Sequence, residues 1–158
     1  MVASLHVRVY TACAAVLYAK FLVVLVLQSN ASFDSDSRPP EDIVLGGAKG
    51  KPVPNYGLNA DEKDGMVLKA REVEHRWRRI VANDLESIPF ALLVFAGSVL
   101  AQTNEAVFAT TMITYTIARC LHSYTYAKQM QPIRANVWFL STFMILVAMI
   151  QAVVAAFF

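Results

Sequence analysis

The chain has 158 residues, 56% of them hydrophobic and only 16% charged, with a formal net charge of +2. Soluble domains average about 25% charged residues, so this balance, with a mean hydropathy of +0.44, points to one membrane-embedded domain. So small a net charge gives no basis for a nucleic-acid partner. Cys13 and Cys120 both lie inside apolar runs, which argues for thiols rather than a disulfide framework.

The first apolar run, Val9 to Leu27, is interrupted by Lys20 and a few weakly polar residues. It exceeds the roughly 7–15 apolar residues of a signal-peptide core, which argues against cleavage. Lys20 is expected to snorkel to the interface or to face the interior of an assembly. The next run, Ile88 to Ala101, has 14 residues and the third, Ala106 to Ala118, has 13. Crossing about 30 Å of hydrocarbon takes roughly 20 residues, so neither suffices alone. The connection between them, "AQTNEAV", is short. The second span must therefore extend backward through Asp84 and Asn83 toward Arg79, and the third forward through "RCLHSYTYA" toward Ala127. Two successive spans enter and leave on one side, so both polar extensions are expected at the same membrane face. The fourth run, Ala135 to Phe158, is long enough unaided.

These runs predict an all-α membrane protein, a four-transmembrane-helix bundle with spans near 7–28, 77–101, 106–127 and 135–157. They form a single domain, 1–158. The loop 29–70 is the longest connection. The segment between the first two spans carries Arg38, Lys49, Lys51, Lys63, Lys69, Arg71, Arg76, Arg78 and Arg79, and the loop after the third adds Lys128 and Arg134. The opposite side has Arg8. The positive-inside rule puts the long loop and the polar ends in the cytosol, where the Asn30-Ala31-Ser32 sequon stays unmodified. The end of that loop, "DEKDGMVLKAREVEHRWRR", has helical character, so the second helix is expected to begin before the membrane. Trp77 and Trp138 read as interfacial belt residues, and Pro89 as a kink that opens a cavity.

Ionisable groups at bilayer depth are costly and turn toward a bundle interior or a wet cavity. Arg79, Asn83 and Glu86 are spaced i, i+4, i+7 and share a helix face, with Arg76 one turn earlier. Arg119, His122 and Tyr126 share a face of the third helix, and Arg134 stands at the mouth of the fourth. Arginine forks bind carboxylates and a carboxylate binds an ammonium, so this set suits a small zwitterion such as glutathione. Asp84 and Asp42 are explained as well by capping and solvation as by function. His6, His75 and His122 have no ligand spacing, and no metal site is expected.

The motifs "RRIVANDLESIPF", "ARCLHSYTY" and "QPIRAN" resemble the MAPEG family, the membrane-associated proteins in eicosanoid and glutathione metabolism. A "PED" after the first span, Pro40 to Asp42, adds to the likeness. The resemblance implies a homotrimer with glutathione bound between subunits by Arg76, Arg79, Asn83, Glu86, Arg119 and His122, and with Asp42 as a further candidate. It implies catalytic roles for Arg134, near the thiol, and for Tyr126. It also implies an apolar electrophile or lipid hydroperoxide as second substrate, in the endoplasmic reticulum or the mitochondrial outer membrane. Three departures stand out. The family's basic run after the first span reads "SNASFDSDS" here, Ala82 stands where prostaglandin E synthases have an arginine, and Ala135 where they have a serine. The last two favour the microsomal glutathione transferase branch. A prostaglandin E synthase-type isomerase and a non-catalytic lipid-binding member are the alternatives.

Overall fold

A computed structural model describes residues 3–58 and 64–158; Lys63, counted above in the charge bias, lies outside them. Four long helices carry the chain: α1 (Leu5–Asp34), α2 (Gly65–Leu100), α3 (Glu105–Ala127) and α4 (Ile133–Phe157). No strand occurs among the described residues. Each expected span lies within one helix, save Ala101, one residue past α2. The second helix does begin well ahead of its apolar run, at Gly65, and continues through Pro89. Three helices, α1, α2 and α4, are long and apolar enough to cross a membrane. Helix α3 falls outside that group because its 23 residues include Arg119, His122 and a run of hydroxyl side chains.

The chain divides into two compact units, Met1–Phe21 with Asn83–Phe158, and Leu22–Ala82. The core of the first is built from Cys13 and Leu17 of α1, Ile88, Ala91 and Phe95 of α2, Phe108, Met112 and Tyr115 of α3, and Ala148 of α4. Phe95 meets Phe108 edge-on, with ring centroids 6.1 Å apart, and lies 5.7 Å from Tyr115. Lipid tails are as apolar as leucine, so such a core is held by close packing and internal hydrogen bonds rather than by exclusion of water. Small buried residues at the helix contacts serve that end. Ser98 of α2 donates to the carbonyl of Ala148 in α4 at 3.3 Å, tying two backbones together. Only Ser141 and Ala148 of α4 are buried; Met144 and Ile145 pack partly against the core, and most of its other apolar side chains face outward.

Both ends of this unit are closed by local chemistry. The Asn104 side chain caps α3, accepting from the backbone N–H groups of Ala106 and Val107 at 3.1 and 3.2 Å, an arrangement worth about 1 kcal/mol. The buried His6 ring hydrogen-bonds the Thr103 carbonyl at 2.9 Å and packs on Phe108, fixing the start of α1 to the α2–α3 turn. At the other end a tight turn joins α3 to α4, with the Met130 N–H donating to the Thr125 carbonyl at 2.9 Å.

The second unit holds the end of α1, the long connection and the start of α2. The connection is irregular, in keeping with its glycines and prolines, yet its described residues are tied by hydrogen bonds and ion pairs. Pro40–Val44 and Gly46–Ala48 form short 3-10 turns. The Asp36 carbonyl accepts from the N–H groups of Asn55 and Gly57, and Arg71 donates to the Gly57 carbonyl. Gly57 has φ +74°, a conformation that suits glycine. Arg38 stacks on the Phe33 ring at 4.4 Å, and Lys51 pairs with Asp34.

Candidate functional site

The polar residues of the first unit gather on three helices. Asp84 of α2 has a fully buried side chain, and so, to within 1%, has Arg119 of α3. Arg119 Nη2 donates to Asp84 Oδ1 at 2.8 Å and to the Asn83 carbonyl at 2.9 Å. Lys20 of α1 donates its Nζ proton to the other oxygen, Oδ2. An isolated buried ion costs several kcal/mol, and only a partner of good geometry recovers it. Each member of this triad therefore accounts for the burial of the others. Of the two expectations for Lys20, the first is corrected here. Lys20 does not snorkel but turns inward, because Asp84 offers a carboxylate at its own depth. Asp84 is neither a cap nor a solvated residue; it is the hub of the cluster.

Further along α3 the buried His122 ring stands edge-on to Tyr126, centroids 5.8 Å apart. Arg134, in the first turn of α4, places its guanidinium carbon 4.3 Å from the centre of the Tyr126 ring. Cation–π stacking of this kind contributes roughly 0.5–2 kcal/mol. The α3–α4 turn thus brings Arg134 of α4 to Tyr126 and His122 of α3, the helix that also carries Arg119. Three atoms of this stretch are buried without a hydrogen-bond partner: Arg119 Nε, His122 Nδ1 and Ser123 Oγ. Buried polar groups are nearly always paired, so three orphans within about one helical turn are bonding capacity that the described residues leave open. Ser123 escaped the sequence reading, since a serine on a helix carries no signal until its burial is known, and Lys20 and Asp84 were noted there without their partners.

The remaining expected residues are placed as follows. Asn83 is partly buried and offers its carbonyl to Arg119, while Glu86 is exposed. In the Leu22–Ala82 unit, Arg79 is exposed, and Arg76 pairs with Glu72 at 2.5 Å. Asp42 pairs with Arg38 at 2.7 Å. Among the described residues no group of three His, Cys, Asp or Glu side chains is placed to hold a metal. A groove of about 240 Å³ opens between α1 and α2, lined by Leu17, Tyr18, Phe21, Leu85, Ile88 and Pro89, with Asp84 in its wall.

The model of the MAPEG family matches residues 9–154. The chain belongs to the MAPEG family. No curated protein matches it. MAPEG proteins are membrane-bound, and they generally use glutathione. The family covers glutathione transferases, peroxidases and prostaglandin E synthases, with some non-catalytic members.

Proposed function

We propose that this MAPEG protein is a membrane-bound glutathione transferase with peroxidase capacity, acting on lipophilic electrophiles and lipid hydroperoxides. The observation that carries this reading is the stacking of Arg134 on Tyr126. It holds a permanent cation at the end of the helix whose buried Arg119, His122 and Ser123 atoms await partners. Arg76, Arg79, Asn83 and Glu86 on α2, with Arg119 and His122 on α3, are the proposed glutathione contacts, and Asp42 a further one.

Glutathione supplies a thiolate, which forms a C–S bond as the leaving group departs. With a hydroperoxide it takes the distal oxygen, and a second glutathione completes reduction to alcohol, disulfide and water. A free thiol near pKa 8.5 is only a few per cent ionised at pH 7. Arg134 is proposed to stabilise the charged form, and Tyr126 to donate its phenolic proton toward the sulfur. Ala82 and Ala135 support the transferase branch over a prostaglandin E synthase-type isomerase. The apolar groove between α1 and α2 is the observation that favours a non-catalytic lipid-binding role.

Glutathione binding separates these readings. Purified protein titrated with reduced glutathione is expected to develop thiolate absorbance in the ultraviolet, and Arg79→Ala to raise the glutathione KM strongly with assembly intact. A protein that binds lipid yet shows no thiolate signal would have the non-catalytic role.

Four spans, a homotrimeric unit and a cytosolic site belong to the same proposal, in the endoplasmic reticulum or the mitochondrial outer membrane. The Lys and Arg excess of the long connection supports the orientation. Protease added to sealed microsomes should then cut between α1 and α2. A glycan on Asn30 would reverse the topology.

A further inference from the structure

The buried triad holds two cations and one carboxylate, with side-chain exposures of 11% for Lys20, 0% for Asp84 and 1% for Arg119. Arg119 with Asp84 alone would be a neutral pair, and the field of such a pair largely cancels a short distance away. Geometry and charge therefore make opposite demands on Asp84. Its carboxylate fixes the Arg119 guanidinium through Nη2, but in doing so it cancels the positive charge that an anionic ligand would feel. The contact from Lys20 to the second carboxylate oxygen resolves the conflict by leaving the cluster with one net positive charge. Arg119 Nε remains unpartnered inside this cluster, with His122 Nδ1 one turn on.

We infer that Lys20 and Asp84 are positioning residues of the proposed glutathione site: Asp84 orients Arg119, and Lys20 offsets Asp84 so that the buried cluster retains a net positive charge for the anionic tripeptide. The inference rests on the functional reading above and deepens it. Neither residue needs to touch glutathione. The role divides into a charge component and a geometric component, and each can be altered separately.

The test is glutathione affinity of the full chain in detergent, read by thiolate absorbance, for four proteins. Lys20→Met removes one charge from a helix that becomes more apolar, keeps the Arg119–Asp84 pair and leaves the cluster neutral. It is expected to weaken glutathione binding about tenfold, the equivalent of one pKa unit, with helix content and oligomeric state unchanged. Adding Asp84→Asn to Lys20→Met restores the net positive charge, and the asparagine carbonyl still accepts from Arg119. This double variant is expected to regain most of the lost affinity, and Lys20→Arg to bind like wild type. A merely structural salt bridge predicts the opposite order, with the double variant weaker than the single. That order, or a Lys20→Met variant binding as tightly as wild type, overturns the inference. Should Lys20→Met fail to assemble, the double variant against Lys20→Arg decides: near-equal affinities support the charge argument and a large deficit in the double variant ends it. Wild-type protein that binds no glutathione would instead remove the functional reading itself.

Discussion

Arg134→Leu is expected to lower kcat at pH 7 by on the order of tenfold or more, while KM for glutathione moves far less. A neighbouring arginine lowers the pKa of a buried acid by about 1–3 units. Its removal returns the bound thiol toward the ordinary value, so the thiolate fraction at neutral pH falls. The sign gives the test its shape. The deficit should be largest near neutrality and should narrow as pH rises toward that of a free thiol. Arg134→Lys keeps the charge but loses the planar face that stacks on Tyr126, so it should recover only part of the rate. Tyr126→Phe keeps the stacking ring and loses only the phenol, which separates the two residues. A pH profile of kcat/KM with a reactive aryl halide reads all three variants. A leucine variant with wild-type kcat and an unshifted profile would place thiol activation elsewhere.

The largest loss of stability is expected for Asp84→Ala. Asp84 accepts from Arg119 and Lys20, and its side chain is wholly buried. Its removal leaves two cations in the bundle with no counter-ion. Breaking a buried ion pair from one side costs about 3–5 kcal/mol. For a chain of this size that corresponds to a fall of about 10 °C in the thermal midpoint. Asp84→Asn retains an acceptor for Arg119 and should lose less. Thermal unfolding in detergent, followed by circular dichroism, ranks the two. Equal stability of Asp84→Ala and wild type would mean that the triad does not hold the helices together.

The helices were legible because their apolar runs and polar interruptions are properties of one segment at a time. The arithmetic of two short runs already required polar ends on α2 and α3, and the spacing of Arg119, His122 and Tyr126 already put them on one face. What was not legible was partnership. Asp84 lies one residue from Asn83 and so falls off the Arg79–Asn83–Glu86 stripe. Its partners, Lys20 and Arg119, are 64 and 35 residues away along the chain. A lysine in an apolar run reads as snorkelling unless a carboxylate is known to wait at its depth. Likewise the stacking of Arg134 on Tyr126 depends on the path of the α3–α4 turn, which no periodicity encodes. The extent of the long connection was legible, but its ties run between residues such as Asp36 and Gly57 that carry no common motif.

The triad also bears on biogenesis. Arginine near the centre of an isolated helix opposes insertion by roughly 2.5–3.5 kcal/mol, and α3 is the one long helix that does not qualify as a span on hydropathy. Its arginine needs a counter-ion that α3 cannot supply. Asp84 precedes Arg119 in the chain, and Lys20 precedes both, so both partners leave the ribosome before α3 does. On the four-span reading proposed above, entry of α3 into the bilayer is coupled to an α2 that precedes it, and the order of synthesis becomes part of how the bundle is built.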